Sequence, residues 1–418
     1  MNKNSCLLIF WGCLLLFSCT KDEIEILNGT YSDTSIYIVS SQAVDSINIQ
    51  IGSNTIRIPE HSVFPKYCSF YEHFLIPTIA LTNNGTALVS CENRLLFDDL
   101  GEIEILLARK EANSNVWRIS KVFQYEKEKG RSMNPQFLVD KDNNRIYLFA
   151  CHLKDNKRYW SDQFSDDIDY VFKYSDDDGI TWSEEYSLKN KWNNAIAEET
   201  GYFSLFNNKY CVDNIWSNNF GIRNYGVIPS CVKGITLNDN TYIVPCMVVR
   251  NSNAYSSLLI HKQDMWYFSR PTPNVGDNEC TVYVDNNDRI VLDCRTMNKV
   301  RHKYYYDLET DSYTNIMPSL NISDIEVSTE IVKDKNLFYM CFPNSTIGIR
   351  ENLTFYGSED GINWKIIYKV YNGNLEGYGY SSIAFDEKQL LICYVAPKGV
   401  IVQDLSNCRE LIRNEITK

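Results

Sequence analysis

Tyr174-Ser175-Asp176-Asp177-Asp178-Gly179-Ile180-Thr181-Trp182 is the stretch that decides the fold. It has the composition of a β-hairpin turn, in which serine and aspartate side chains bind backbone amides of the turn. The glycine accepts a positive φ, and the tryptophan can pack between adjacent sheets. We therefore interpret this stretch as a structural marker of a hairpin and assign it no catalytic role.

Copies of this turn recur along the chain. Gly357-Ser358-Glu359-Asp360-Gly361-Ile362-Asn363-Trp364 is a second clear copy, one residue shorter than the first. Degenerate copies lie at Glu111 to Trp117, at Gln263 to Trp266 and at Asp307 to Tyr313. Repeats about 45 to 85 residues apart favour the blades of a β-propeller over a sandwich.

The sequence between the turns is typical of an all-β protein. From Phe74 to about Leu405, short runs rich in Val, Ile, Tyr and Phe alternate with turns rich in Asn, Asp and Gly. Long stretches of helical periodicity are absent from this region. Together with the repeated turns, the pattern predicts a propeller built from short antiparallel strands.

A further hairpin is predicted between Asn278 and Arg295. Apolar and polar residues alternate from Thr281 to Val284, a polar Asp-Asn-Asn-Asp turn follows, and a second strand runs from Ile290 to Leu292. Since the two ends of a hairpin lie side by side, Glu279 and Arg295 should meet at one end of the sheet. Taken alone, such a pair is most often a surface ion pair.

The order of these elements resembles the sialidase (neuraminidase) family of six-bladed propellers, in which the repeated turn is called an Asp-box. The resemblance extends over about residues 70 to 405 and includes an Asn-Glu, a hairpin and an arginine sixteen residues after Glu279. It implies an all-β, six-bladed β-propeller with Asp-box hairpins. It also implies an exo-acting retaining glycoside hydrolase that releases terminal sialic acid and needs no metal or other cofactor.

The resemblance implies three catalytic residues. Tyr380, in Gly379-Tyr380-Ser381, corresponds to the nucleophile of the family, and Glu279 would remove its proton. Asp99 corresponds to the general acid and base. Asp98 remains an alternative to Asp99, and Tyr378 remains an alternative to Tyr380.

The resemblance also implies that Arg295, Arg350 and Arg94 bind the substrate. In the family, three arginines form a clamp that holds the substrate carboxylate, and a glutamate braces the first of them. In this chain Leu75 stands at the position of that first arginine, and Val395 stands at the position of the glutamate. Loss of only one of these partners would leave a buried charge unpaired, whereas loss of both leaves an apolar contact. We therefore expect Leu75 and Val395 to touch and the clamp to contain two arginines.

Two other functions stay open because of this departure. The chain could be a lipoprotein propeller that binds glycans without cleaving them, or a glycosidase for another acidic sugar.

Arg57-Ile58-Pro59 resembles the Arg-Ile-Pro sequence that carries the first clamp arginine in the family. The glycine and the Glu-x-Arg that should follow this sequence are missing at the right distances. We interpret it as a chance match.

Residues 1–19 are predicted to form a lipoprotein signal peptide, with one lysine, an apolar run from Cys6 to Phe17 and a small residue before Cys19. The run is too short for a membrane-spanning helix. Leu16-Phe17-Ser18-Cys19 resembles the bacterial lipoprotein cleavage box, which implies a lipid on Cys19 and a place in the cell envelope, at the outer membrane or cell surface. Residues 20–65 are predicted to be a tether with the first strands, and residues 66–412 the propeller.

Charge and cysteine content limit the partners. The formal net charge of −12 argues against binding to nucleic acid. Eleven cysteines follow Cys19, and no CxxC or Cys/His cluster indicates a zinc site. We expect a monomer that binds sialylated or other acidic glycans and contacts the membrane only through Cys19. Five cysteines in apolar runs are expected to be small buried side chains: Cys151, Cys246, Cys294, Cys341 and Cys393.

Overall fold

The computed structural model describes residues 37–40, 45–64, 71, 73–154, 168–188, 225–250, 253–262, 265–296, 299–319, 322, 324–376, 378–397 and 399–418. Within these ranges the strands form six antiparallel sheets, the blades of a β-propeller. The predicted fold class is therefore confirmed. The predicted signal peptide, residues 1–19, lies outside the described residues.

Each blade takes its strands mainly in chain order. Three strands precede the first blade: β1 (Tyr37–Ser40), β2 (Asp45–Ile51) and β3 (Asn54–Phe64). Blade one contains β4 (His73–Leu81), β5 (Ala87–Arg94), β6 (Ile103–Lys110) and β7 (Val116–Phe123). Blade two contains β8 (Arg131–Asp140), β9 (Arg145–Leu153), β10 (Ile168–Ser175) and β11 (Tyr186–Ser187). Blade three contains β12 (Tyr225–Pro229), β13 (Ile235–Thr236), β14 (Tyr242–Arg250), β15 (Asn253–Lys262) and β16 (Met265–Phe268).

The remaining strands follow the same plan. Blade four contains β17 (Asp277–Val284), β18 (Ile290–Thr296), β19 (His302–Asp307) and β20 (Ser312–Ile316). Blade five contains β21 (Ile331–Asp334), β22 (Leu337–Pro343), β23 (Leu353–Ser358) and β24 (Lys365–Lys369). Blade six begins with β25 (Ser381–Phe385), β26 (Leu390–Ala396) and β27 (Gly399–Asp404), and helix α1 (Arg409–Thr417) follows.

The beginning of the chain completes the sixth blade. Strand β27 pairs with β3, and β2 continues on the far side of β3. Strand β1 instead pairs with β7 in the first blade. The predicted boundary at residue 66 therefore falls between strands of one propeller, because residues 45–64 supply the outer strands of its sixth sheet. Helix α1 buries Ile412 and Ile416 in the apolar cluster of the fifth and sixth blades.

The first Asp-box has the turn chemistry that its sequence predicts. Ser175 Oγ accepts a hydrogen bond from the amide of Gly179 at 2.9 Å, and Gly179 has a φ of +79°. Asp177 accepts bonds from the amide and the hydroxyl of Thr181, at 2.8 and 2.6 Å. Trp182 packs against the apolar cluster shared by blades one and two.

The second Asp-box has the same bonding pattern. Ser358 Oγ accepts from the amide of Gly361 at 2.9 Å, and Asp360 Oδ1 accepts from the amide of Asn363 at 2.7 Å. Both clear copies, and the degenerate copies after β6 and β19, join the third strand of a blade to its fourth. Residues 263–264, in the remaining copy, lie outside the described residues. The repeat therefore marks the same turn in successive blades.

Asp177→Ala is expected to lower the free energy of unfolding by about 1–2 kcal/mol, because three turn donors, the Ser175 hydroxyl and the amide and hydroxyl of Thr181, lose their acceptor. The matched control is Asp176→Ala in the same turn, which removes an exposed ion pair with Arg145 and should cost less than about 1 kcal/mol. Urea unfolding of both variants measures the difference. Equal losses would contradict the structural role given to Asp177.

A ring of hydrogen bonds joins neighbouring blades around the propeller axis. The inner edge of each innermost strand has backbone amides without a strand partner, and buried amides need acceptors. In each blade one such amide donates to the preceding blade. In blade order, the bonds run from Ile79 N to Ser382 Oγ (3.1 Å), from Asn134 N to Glu92 Oε1 (2.7 Å), from Gly234 N to Phe137 O (2.9 Å), from Cys280 N to Ser230 Oγ (3.2 Å), from Ile331 N to Thr281 Oγ1 (3.2 Å) and from Ile383 N to Glu330 Oε2 (2.8 Å).

The cysteines of the described residues are all free and buried. This confirms the expectation that the five cysteines in apolar runs are small buried side chains. Among the described residues, no three or more His, Cys, Asp and Glu side chains are grouped so that they could hold a metal ion. Their helices are all too short or too polar to cross a membrane.

Candidate active site

The innermost strands of three blades are irregular at their N-terminal ends. The pairing register shifts between Leu75 and Thr78 in β4, between Met133 and Gln136 in β8, and between Asp277 and Cys280 in β17. Two residues in these bulges, Ile76 and Asn134, have φ values of +52° and +57°. Bulges re-aim side chains, and non-glycine residues with positive φ concentrate at functional sites. This end of the propeller is therefore the candidate active site.

Glu279, Arg295 and Tyr380 form one hydrogen-bonded group at this end. Arg295 Nη1 donates to Glu279 Oε2 at 2.5 Å and to the Tyr380 hydroxyl at 3.1 Å. The Tyr380 hydroxyl lies 3.0 and 3.1 Å from the two carboxylate oxygens of Glu279. The predicted meeting of Glu279 and Arg295 is confirmed. Their side chains are only 8 and 17% exposed, so the pair is not a surface ion pair.

The electrostatics of this group keep the phenol protonated. Burial, and then the charge of Glu279, raise the pKa of Tyr380 well above its usual value, although Arg295 and Arg350 act in the opposite direction. Burial works against the charged form of Arg295, but Glu279 and Tyr380 outweigh it and raise the pKa of this guanidinium. Tyr380 is thus a neutral donor whose proton faces a carboxylate, which is the geometry of a nucleophile beside its base.

Arg350 contacts the ring of Tyr380. Its guanidinium carbon is 5.5 Å from the centre of the Tyr380 ring, a cation–π contact. The backbone of Arg350 accepts a bond from the amide of Leu375 at 2.9 Å, which fixes the loop before β23. Gly379, with a φ of +116°, packs near Arg350. Two of the predicted substrate-binding arginines therefore contact the predicted nucleophile, Arg295 at its hydroxyl and Arg350 at its ring.

Arg94 and Asp99 form a second group. Arg94 Nη1 lies 2.8 Å from Asp99 Oδ1, and Arg94 also pairs with the buried carboxylate of Glu92. The Asp99 side chain is half exposed, whereas Arg94 is buried. Asp98 accepts a bond from the amide of Leu100 at 2.9 Å and so serves as a turn residue. This difference favours Asp99 over Asp98 as the functional aspartate.

Shared neighbours link the two groups. Cys231 Sγ lies 3.6 Å from Glu279 Oε1. Burial raises the pKa of this thiol, and so do the charges of Glu279 and Glu92. The rings of Phe97 and Tyr378 meet edge to face at 5.1 Å, which joins the loop of Asp99 to the segment that carries Tyr380.

The sequence analysis assigned no role in the site to Glu92 or to Cys231. Burial raises the pKa of Glu92, which Arg94 and the amide of Asn134 offset only in part. A signal for Glu92 existed, because it is a carboxylate inside the buried strand β5 and begins the Glu-x-Arg pattern. Cys231 gave no comparable signal, since it is one of eleven cysteines after Cys19 and belongs to no recognisable motif.

The position that the family resemblance assigns to the first clamp arginine is apolar. Leu75 and Val395 are 5 and 0% exposed and belong to the same buried cluster. The amide of Val395 donates to the carbonyl oxygen of Tyr380 at 3.2 Å, so this cluster borders the Tyr380 segment. Arg57 is exposed on β3, an outer strand of blade six. Arg57-Ile58-Pro59 is therefore a chance match, as interpreted from the sequence.

Comparisons with known proteins agree with this geometry. Residues 80–335, more than half of the chain, match the family model of the BNR repeat-like domain. The chain is 25% identical over 393 residues to a sialidase of Paraclostridium sordellii, with 86% of this chain and 91% of the relative covered. It is 24% identical over 388 residues to a sialidase of Clostridium perfringens, with 82 and 91% covered.

Solved structures show the same fold. Hadza microbial sialidase Hz136 has a TM-score of 0.67 at 17% identity, with 85% of this chain and 70% of that chain covered. Trypanosoma rangeli sialidase in complex with 2,3-difluorosialic acid, as a covalent intermediate, has a TM-score of 0.66 at 14% identity. The comparison covers 92% of this chain and 60% of that chain. The chain therefore belongs to the BNR repeat-like domain family, and its fold is the six-bladed propeller of the sialidases.

Proposed function

We propose that this protein is an exo-acting retaining sialidase that releases terminal sialic acid from glycoconjugates through a covalent intermediate on Tyr380. The observation that carries the proposal is the contact of the Tyr380 hydroxyl with both carboxylate oxygens of Glu279, at 3.0 and 3.1 Å. The sialidase relatives, which are similar over nearly their whole length, support the same activity.

The substrate explains why a tyrosine acts as the nucleophile. Sialic acid has a carboxylate on its anomeric carbon, and a carboxylate nucleophile would approach this like charge. A neutral phenol avoids the repulsion, and Glu279 takes its proton as the oxygen attacks. Arg295 donates to both groups, so it stabilises the Glu279 carboxylate before the proton transfer and the negative charge that develops on the phenol oxygen during it.

The arginines of the site suit a carboxylate. The Nε atom of Arg295 is buried and has no hydrogen-bond partner among the described residues, so the protein does not saturate the donors of this guanidinium. Arg350 lies over the ring of Tyr380 and can bind the same carboxylate by charge-assisted bonds. Asp99, held by Arg94 at the exposed edge of the site, donates a proton to the leaving oxygen and later accepts one from water.

The two-arginine clamp can be tested by restoring the third arginine. A Leu75→Arg/Val395→Glu double variant is expected to lower KM for a sialoside by about tenfold, the worth of one added charged hydrogen bond. Leu75→Arg alone should lose about 3–5 kcal/mol of stability, because its charge is buried without a partner. Initial-rate kinetics and thermal unfolding measure the two effects, with Leu75→Met as the size-matched control. A double variant with unchanged KM would show that position 75 does not face the substrate carboxylate.

A fluorogenic sialoside assay of the purified protein tests the proposed activity. Release of the fluorophore with retention of anomeric configuration is the expected result. Because Leu75 replaces a clamp arginine, the same assay should include another acidic sugar, such as a uronic acid glycoside. Cleavage of the uronic acid glycoside alone would assign a different substrate. Glycan binding without any cleavage would identify a binding lipoprotein.

We also propose that the protein acts as a monomer anchored in the cell envelope by a lipid on Cys19. The support is the Leu16-Phe17-Ser18-Cys19 box at the end of the apolar run. In a bacterial host, wild-type protein should incorporate a labelled fatty acid and sediment with membranes. Cys19→Ser should lose both properties, and an unlabelled wild type would contradict the anchor.

A further inference from the structure

A buried ion pair lies on the propeller axis and is not part of the group described above. Lys233 Nζ, from the third blade, is 2.6 Å from Glu330 Oε1 at the start of the fifth blade. The two side chains are 17 and 4% exposed. Burial lowers the pKa of Lys233, and Glu330 offsets this only in part. A pair with this desolvation cost needs a reason to be there.

The ion pair holds the inner edge of β25 at two points. Glu330 Oε2 accepts bonds from the Ser382 hydroxyl at 2.6 Å and from the amide of Ile383 at 2.8 Å. Lys233 Nζ donates to the carbonyl oxygen of Ile383. The Ser382 hydroxyl also accepts a bond from the amide of Ile79 in the first blade, at 3.1 Å. Four blades are thus tied to this short segment.

This segment carries the nucleophile. Tyr380 directly precedes β25 and lies two residues before Ser382. The amide of Val395 continues the strand pairing as far as the carbonyl oxygen of Tyr380. A shift of the backbone at Ser382 therefore moves the Tyr380 hydroxyl relative to Glu279, which belongs to another blade.

We propose that Lys233 and Glu330 are positioning residues for the reaction, and that their ion pair sets the distance between the Tyr380 hydroxyl and Glu279. The geometry that supports this is the capping of both the amide and the carbonyl of Ile383 by one ion pair. The inference rests on the proposed function. It adds to the site two residues that act through the backbone of β25 and are not themselves substrate-binding residues.

The test compares Glu330→Gln with Asp334→Asn. Asp334 ends β21, the strand that directly follows Glu330, and pairs with Arg409 and Arg413 of α1 at 3.1 and 2.8 Å. Both changes remove a buried carboxylate charge from the same short segment. Glu330 accepts hydrogen bonds from β25, whereas Asp334 accepts them from Tyr339, Arg409 and Arg413. We expect Glu330→Gln to lower kcat about tenfold to a hundredfold, the effect of a small misplacement of a reacting group. KM should stay within about twofold, because the substrate-binding arginines are untouched.

Asp334→Asn is expected to lower Tm and to leave kcat at 25 °C near the wild-type value. Equal loss of kcat in the two variants, or a wild-type kcat in Glu330→Gln, would overturn the proposal. If Glu330→Gln fails to fold, Lys233→Met/Glu330→Gln replaces it, because this double variant buries no unpaired charge. The same fall in kcat is expected for it.

A crystal structure of the variant gives a readout that does not depend on activity. In Glu330→Gln the Tyr380 hydroxyl should have left hydrogen-bond range of at least one Glu279 oxygen, and an unmoved hydroxyl would overturn the inference. A wild-type protein that cleaves no sialoside would instead contradict the proposed function. The two failures are therefore distinguishable.

Discussion

Tyr380→Phe is expected to lower kcat for sialoside hydrolysis by about a thousandfold or more, because the variant has no nucleophile to form the intermediate. The fold should be unchanged, since the lost hydroxyl bonds only to Glu279 and Arg295 among the contacts found. The apolar ring and its contact with Arg350 remain. Initial rates with a fluorogenic sialoside measure the effect.

Tyr378→Phe is the matched control. Tyr378 is two residues away, packs on Phe97 through its ring, and was the alternative nucleophile in the sequence. Its loss of one hydroxyl should leave kcat within about threefold of wild type. A large loss in Tyr378→Phe together with an active Tyr380→Phe would exchange the two assignments.

Mass spectrometry after reaction with 2,3-difluorosialic acid gives an independent measure, since this compound is the covalent ligand of a structurally similar sialidase. The adduct is expected on the peptide that contains Tyr380 and should be missing in Tyr380→Phe. An adduct on another residue would contradict the assignment of Tyr380 even if the rates agree.

Asp99→Ala should have the second largest effect, and its size should depend on the leaving group. General acid catalysis contributes about a hundredfold to ten-thousandfold, and a sugar leaving group needs all of it. We therefore expect kcat for a sialyl-lactose substrate to fall by about a hundredfold or more. An aryl sialoside has a leaving group that departs as a stable anion, so its cleavage should fall much less.

Asp98→Ala is the control for this prediction. Asp98 caps the turn through the amide of Leu100, so its loss should affect both substrates equally and weakly. A uniform loss on both substrates in Asp99→Ala would indicate that Asp99 orients the loop and does not donate a proton. A leaving-group effect in Asp98→Ala would assign the acid to that residue.

Much of the fold could be predicted because its signals are local. The Asp-box residues Ser175, Asp177 and Thr181 are linked by hydrogen bonds within a single turn. The sequence of this turn is therefore sufficient to predict its structure. The spacing of the copies then indicates blades. The meeting of Glu279 and Arg295 was also predictable, because hairpin register fixes which residues face each other.

Part of the site could not be predicted by this reasoning. Glu92 was not recognised as the link between Arg94 and the amide of Asn134, because that amide lies in the next blade. Lys233 and Glu330 left no sequence signal, since they are 97 positions apart and meet only across the axis. The outer strands of blade six were predicted as strands, but their partner β27 lies at the other end of the chain.

The amino-acid sequence by itself determined the repeated turns, the all-β strands and the hairpin that pairs Glu279 with Arg295. Each of these depends on residues close together in the chain, where backbone geometry and hydrogen bonding act directly. The contact of Tyr380 with Glu279, 101 residues away in the chain, was expected only from the family resemblance, and the tertiary structure supplies its geometry. Only the tertiary structure decided that Lys233 reaches the backbone of Ile383, three residues after Tyr380. Closure of the ring of blades creates these contacts, and no local pattern specifies which side chains reach the axis together.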